Sequence, residues 1–481
     1  MQDFPDHLTR AHIIADLLFN RGAQFGDFFA LKLSFSPYLA GDILLAGLDR
    51  WLGTVWACRV WIAGLIALLP LSLSFALRRQ GANALAASAA GVLALYVATD
   101  HFFVLGFTNY LLGVSCAFFT YGWFYTAART GRLSDFGWYV LLLLLSYAVH
   151  LTALIFVSVI TVVSAALWVL RKKITVRRAV ALLLAPVVLV LFQLITAPAL
   201  NLLGQDMYSS SVDIDLGAHA ANWWEVAVSK IFGFGFPAKR FNVVPDSVLF
   251  ACVVAVALLP VLYTWRHAIR VAAEPLLIAC VLALLYVVTP PVVGGVFYAD
   301  VRPQQYALLF LVIAGVRCAE VRPSVRLTQF ALASLVALAN LGYLAAYLLP
   351  ENAALGRYQA ITAEIPSGAT VLPIDTLPLN YFRPFLHAGA YATLNARALT
   401  PYLFAADIVP NMPYFVYRAR PPGAPYESWY SKHTSVSWDR VVLEYQYVLV
   451  TVPWATRRIP VPYTVIARND VVALLRLHEE R

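Results

Sequence analysis

Four side chains able to do proton and anion chemistry stand within the first ten residues, MQDFPDHLTR: Asp3, Asp6, His7 and Arg10. A carboxylate within hydrogen-bond reach of a hydroxyl can take its proton as the oxygen attacks, which is the work of a general base. A guanidinium stabilises negative charge developing on a leaving group, and an imidazole can do the same or orient a neighbouring carboxylate. Lys239 and Arg240 in FGFGFPAKRFNVVPD, Arg302 in FYADVRPQQY and His150 in LSYAVHLTALIF add three cations and an imidazole where apolar segments end or are interrupted. The same residues have plainer uses. Asp3 or Asp6 can cap the helix that starts near His7, and Asp6 and Arg10 are spaced as an i, i+4 pair. Arg302 can pair with Asp300 or anchor at a membrane interface. No spacing marks a metal site, since DFPD is not a D-x-D pattern and no His or Cys cluster has ligand spacing. No glycine loop of the phosphate-cradling kind is present.

The elements that must position these residues are set by composition. With 61% hydrophobic and 13% charged residues over 481 positions, the chain lies far outside the soluble range and predicts an α-helical polytopic membrane protein. The apolar runs place about ten transmembrane helices, at 55–77, 84–99, 107–127, 135–149, 151–170, 179–198, 247–265, 273–290, 304–320 and 327–349. Basic residues then fall in alternate loops: Arg78 and Arg79, Arg129 and Arg132, Arg171 to Arg178, Arg266 and Arg270, and Arg317 to Arg326. Those loops are cytoplasmic by the positive-inside rule, so the net charge of +9 reflects topology and predicts no nucleic-acid partner. The five cysteines lie in or beside apolar runs and read as packing residues. The other loops, the N-terminal segment and the C-terminal tail face outward. An outward N-terminus carrying acids, with no span before it, predicts a first transmembrane helix of roughly 20 further residues upstream.

Residues 1–52 read as a first outer loop carrying two amphipathic surface helices, one over His7–Phe19 and one over Ser36–Leu52. Residues 1–349 form the transmembrane domain. Past residue 350 the runs ATVLPID, YQYVLVTV, YTVIARN and VVALLRL read as strands and ALGRYQAITAEI as a helix, giving an α/β domain outside the membrane over 350–481. No catalytic constellation is evident within it.

DFPDHLTR followed by SPYLAGDILLAGL, then FFVLGFTNYLLG, ADVRPQQYALL before a span, and the extramembrane domain after the last helix together resemble the glycosyltransferase C superfamily over most of the chain. Its members are polytopic membrane enzymes that take a sugar from a polyprenyl-phosphate carrier on the outer face. The resemblance implies a catalytic acid in the first outer loop, best matched by Asp3 and next by Asp6, and inversion at the anomeric centre. The substrate-binding residues expected beside it are His7, Arg10, Lys239, Arg240, Arg302 and His150. Some members use a divalent cation, Mg or Mn, and others none. The chain departs from the pattern in lacking the first helix itself. The partners implied are a polyprenyl-phosphate-linked sugar donor, a glycan, lipid or protein acceptor, and membrane lipids. HAGAYATLNARALTPYLF and the aromatic stretch from Tyr414 to Trp438 offer surfaces for a sugar or an acceptor, or a lid over the outer loops. The alanine- and arginine-rich composition points to a bacterium of high genomic GC content, and with the resemblance the expected location is a bacterial inner (plasma) membrane, with 350–481 on the periplasmic or extracellular side. The competing reading is a transporter or flippase of a lipid-linked substrate. Against it stand the few charges within the spans and the acids placed on an outer loop instead of at midplane.

Overall fold

The computed structural model describes residues 1–31, 37–196, 230, 240–264, 272–289, 292–293, 296–319, 322–375, 384–401, 403, 415–417, 437–451, 456–457 and 459–478. The chain begins with α1 (Phe4–Phe19), a short strand β1 (Phe29–Leu31) and α2 (Leu39–Leu52). The bundle follows: α3 (Thr54–Arg79), α4 (Ala84–Ala98), the short α5 (His101–Leu105), α6 (Thr108–Thr130), α7 (Leu133–Val149), α8 (Leu151–Leu170) and α9 (Val176–Thr196). It continues with α10 (Val243–Tyr263), α11 (Ala273–Val288), a hairpin of β2 (Val292–Val293) and β3 (Val296–Phe297), α12 (Val301–Ala319) and α13 (Pro323–Thr362). Apolar runs of this length fold as helices because a helix satisfies every backbone group within its own segment, where lipid cannot.

Each of the ten predicted runs lies on a helix, but not all ten qualify as spans. Among the described residues six helices are long and apolar enough to cross a membrane, namely α3, α6, α8, α9, α10 and α13, while α4, α7 and α11 are shorter apolar helices. These mark an integral membrane protein. The exception is α12, whose first turns carry Arg302, Gln304 and Gln305, all buried. It packs against α4, α10 and α11 and is an interior helix of the bundle. Arg178 donates to the Ala128 carbonyl, Arg317 to Gln80 and Arg322 to the Tyr263 hydroxyl, which gathers the basic loops at one end of the bundle. Thr99, His150, Arg240, Arg302 and Asn340 gather at the other.

α13 continues well past residue 349. At 40 residues it is about 60 Å long at 1.5 Å per residue, twice the roughly 30 Å of bilayer hydrocarbon. Its last turns bury Tyr358, Ile361 and Thr362 in the C-terminal domain. There the four predicted strands form one mixed sheet: β4 (Val371–Ile374), β6 (Tyr447–Thr451), β7 (Tyr463–Arg468) and β8 (Val472–Leu477), in the order β4-β6-β8-β7. β4 and β6 are parallel, with Val371 opposite Tyr447, and the remaining pairs are antiparallel. β6 is buried throughout, as a central strand of apolar and β-branched residues should be, whereas β7 is an exposed edge with an irregularity between Val465 and Ala467. The short helices α14 (Ala390–Ala396) and α15 (Trp438–Glu444) flank the sheet sequence. A further strand, β5 (Phe415–Tyr417), pairs antiparallel with β1 and so ties the C-terminal domain to the first loop. Most of the aromatic stretch from Tyr414 to Trp438 lies outside the described residues.

The two N-terminal helices form where the sequence predicts them, but α1 starts at Phe4 because Pro5 fits the first turn, where its missing N–H is not needed. Nor is α1 a surface helix. Twelve of its sixteen residues are buried, because α2 covers one side and α14 another. α2 is turned the opposite way to a soluble amphipathic helix: Asp42, Leu45, Ala46 and Asp49 face inward, while Leu44 and Trp51 are exposed. That orientation suits a helix with lipid on one side and α1 on the other.

Candidate active site

Asp3 occupies the N-cap position of α1, yet its side chain makes no capping bond, so the plain cap reading does not account for it. The backbone of this segment is instead held by the turn after α5: the Gln2 N–H donates to the Val104 carbonyl at 2.9 Å and the Asp3 N–H to the Leu105 carbonyl at 2.8 Å. Gly106 makes the contact possible. It sits at φ +89°, and a Cβ there would meet the Asp3 nitrogen at 2.8 Å. One helical turn on from Asp3, Asp6 is buried.

Between these two acids lies a side chain from the other end of the chain. His387, in the turn before α14, places Nδ1 2.8 Å from Asp6 Oδ2 and Nε2 3.4 Å from Asp3 Oδ1. The Thr9 hydroxyl donates to the Ala390 carbonyl at 3.2 Å and so clamps α14 onto α1 across 381 residues of sequence. The Asp6 side chain is 2% exposed and that of Asp3 14%, so Asp3 is the more reachable carboxylate. Burial pushes Asp3 above the usual carboxylate range; the neighbouring His387 and His7 pull it back, and Asp6 pushes it further up.

The other acids of α1 and α2 are committed to holding the fold. The guanidinium of Arg10, fully buried, donates to Asp42 at 2.7 Å and lies 2.8 Å from His7 Nδ1. Burial alone would raise Asp42, but the Arg10 charge and the His7 contact outweigh it and hold this carboxyl below its usual range. His12 meets Asp49 at 2.7 Å, and Asp16 accepts the backbone N–H groups of Gln24 and Phe25. Asp42 also accepts from the Asn109 amide at 3.3 Å. Gly41 leaves room for that amide, since a Cβ there would stand 2.0 Å from Asn109 Oδ1.

Asn109 donates in addition to the Tyr38 carbonyl, which leads to a second group. His150 caps α8 by accepting the Thr152 N–H on Nδ1 at 3.1 Å. Its other ring nitrogen, Nε2, faces Arg302. Burial, followed by the nearby Arg302 charge, holds His150 well below the usual histidine range, so the ring is neutral at physiological pH. Arg302 Nη1 lies 3.1 Å from that Nε2. The guanidinium is stacked over Tyr110 and Phe107, at 4.8 and 5.6 Å, and the Tyr38 ring meets His150 edge-on at 4.6 Å.

Tyr298 lies between the two groups. It packs on His101 and Phe107, and its phenol is raised by burial and then by the Asp3 carboxylate. Its φ of +56° is in the left-handed region, which costs a bulky residue on the order of 1–3 kcal/mol and recurs where ligands are held.

The structure thus brings Asp3 and Asp6 together, and Arg302 with His150, while three other predicted residues are engaged with other acids. His7 and Arg10 hold Asp42. Arg240, expected to face lipid phosphate, is fully buried and pairs with Asp246 at 3.1 Å, also donating to the Thr99 carbonyl and to Asn340. Lys239 lies outside the described residues. Asp300 meets Lys230 at 3.2 Å. Among the described residues no three His, Cys, Asp or Glu side chains converge as a metal site, and the His387 ring fills the place between Asp3 and Asp6 that a bridging cation would take.

Sequence reasoning missed His387, Asp42 and Asn109. Asp42 and Asp49 carried a signal, two acids seven residues apart on one helix face, whereas His387 opens HAGAYATLNARALTPYLF, a stretch legible as a contact surface or lid but with nothing to mark α1 as its partner. Searches against protein-family models, the curated proteins and the solved structures find no match to this chain.

Proposed function

We propose that this protein is an integral membrane glycosyltransferase that moves a monosaccharide from a polyprenyl-phosphate carrier to an acceptor hydroxyl, with inversion. The observation that carries the reading is that an acid pair, Asp3 and Asp6, and a buried guanidinium, Arg302 beside His150, flank the Tyr298–Phe107 contact at one end of the bundle. Base and anion-binding donors are what displacement of a phosphate from an anomeric carbon needs.

Asp3, the more exposed acid, takes the proton of the acceptor hydroxyl as that oxygen bonds to the anomeric carbon. The bond from that carbon to the phosphate oxygen breaks, and its electron pair leaves on the phosphate. Arg302 meets the charge that results. Attack opposite the leaving group inverts the centre. An apolar cavity of about 450 Å³ between α2, α3 and α6, lined by residues including Ile43, Leu48, Trp51 and Trp61, suits an isoprenoid chain. In this reading the reaction faces the periplasm or exterior of a bacterial inner membrane, and the C-terminal domain lies on the same side.

The test is transfer from radiolabelled polyprenyl-phosphate sugars by the protein in membranes. Arg302→Gln removes the guanidinium and leaves the acids in place. Transfer is expected to fall at least about 100-fold, the usual effect of losing one preorganised donor. Wild-type donor binding with neither transfer nor hydrolysis would contradict this reading and favour the lipid-linked transporter.

A further inference from the structure

We propose that His387 completes the active centre from the C-terminal domain, as the positioning residue that holds Asp6 and sets the ionisation of Asp3. The inference rests on the glycosyl-transfer reading for its chemistry but on geometry for its placement. His387 stands against both acids, closer to Asp6 at 2.8 Å than to Asp3 at 3.4 Å, and is itself buried. Two carboxylates this close to one ring cannot both ionise cheaply unless a cation lies between them. A protonated His387 is that cation. A neutral ring offers one N–H, which serves one acid and leaves the other to hold a proton. The unequal distances and exposures divide the roles. Asp6, the more buried acid, lies nearest the ring, and the Nε2 side of the ring faces Asp3, the more exposed carboxylate. His7 on the same helix and Tyr298 beyond Asp3 are the other titratable groups around the pair.

The arrangement depends on docking of the C-terminal domain. The Thr9 to Ala390 bond sets α14 against α1, and the β1–β5 pairing holds the following loop to the same domain. Gly389, two residues beyond His387, lies so close to Pro373 that a Cβ there would stand 2.3 Å from its Cγ, so the turn is seated tightly on β4.

His387→Gln removes the cation and keeps a polar side chain. Asp3, deprived of its nearest positive neighbour, should then ionise at higher pH. The acid limb of the pH profile for transfer is expected to move upward by about one pH unit. The loss in kcat should be greatest at low pH, tenfold or more, and should shrink as the pH is raised. His387→Arg, which restores a cation, should return the limb towards wild type. An equal loss at every pH, with the limb unmoved, would make His387 merely structural and overturn the proposal. A second readout needs no activity: the apparent melting temperatures of His387→Gln, Asp3→Asn and the double variant. Non-additive shifts support the pairing, and strict additivity overturns it. If the wild type transfers no sugar while the shifts are non-additive, the glycosyl-transfer reading fails and the His387 contact stands.

Discussion

At the scale of single residues, the duty of each ionisable side chain is set by the partner that the fold brings to it: His387 to Asp3 and Asp6, Arg10 to Asp42, and Asp246 to Arg240. Asp3, Asp6, His150 and Arg302 are ionisable groups legible in the sequence; the first two meet His387 and the last two meet each other. His7, Arg10 and Arg240 were equally visible, yet they hold carboxylates. What separates the sets is which partner lies across the fold, and Asp42 is 32 residues from Arg10. Asp100 shows how much burial decides. It caps α5 through the Phe102 N–H and accepts from the Gln305 amide, yet burial pushes its carboxyl up to about 7. A folded-state pKa raised above the unfolded value means that the protonated form is the stable one. The wild type therefore loses stability as pH rises from the ordinary carboxylate range towards about 7. Asp100→Asn, which keeps a side-chain acceptor for the cap, should raise the apparent melting temperature by several degrees at pH 8 and by little at pH 4. Equal shifts at both pH values would contradict a buried, titrating Asp100.

At the scale of elements, the ten helices and the four strands of the C-terminal sheet were legible because hydrophobic period and run length are local properties. Two features were not. The burial of α1 on both sides depends on α14, more than 370 residues away in sequence, and no periodicity in FPDHLTRAHIIADLLF announces a second cover. The interior position of α12 was masked by its apolar later turns, although the Arg-Pro-Gln-Gln at its start is the composition of a packed, hydrogen-bonding helix. Close approach between elements makes a prediction. Gly41 lets α2 press against Asn109 of α6, which links Asp42 to Tyr38. Gly41→Ala must push that amide away, and overpacking of this kind costs about 1–3 kcal/mol. The variant is expected to fold with a melting temperature lowered by a few degrees and transfer reduced tenfold or more. Wild-type transfer in Gly41→Ala would show that the Asp42–Asn109 link does not position the site.

At the scale of the whole molecule, an acid-bearing N-terminal helix is closed by a domain that begins after the last helix of the bundle. The 40-residue α13 carries the chain out to that domain, and β1–β5, Thr9–Ala390 and His387 return it to the first loop. The sequence predicted the domain and its strands and offered it as a sugar- or acceptor-contacting surface or a lid over the outer loops, but placed no catalytic group in it, because contacts spanning nearly the full chain leave no local pattern. The central claim is that Asp3 is the base that activates the acceptor. It is tested most directly by measuring single-turnover sugar transfer from a radiolabelled polyprenyl-phosphate donor across pH, with wild type and Asp3→Asn in the same membranes. The account predicts a loss of 100-fold or more in Asp3→Asn, donor affinity changed by less than about threefold, and a wild-type acid limb above the usual carboxylate range because burial raises Asp3. Asp3→Asn transferring at the wild-type rate, with an unchanged pH profile, would contradict it.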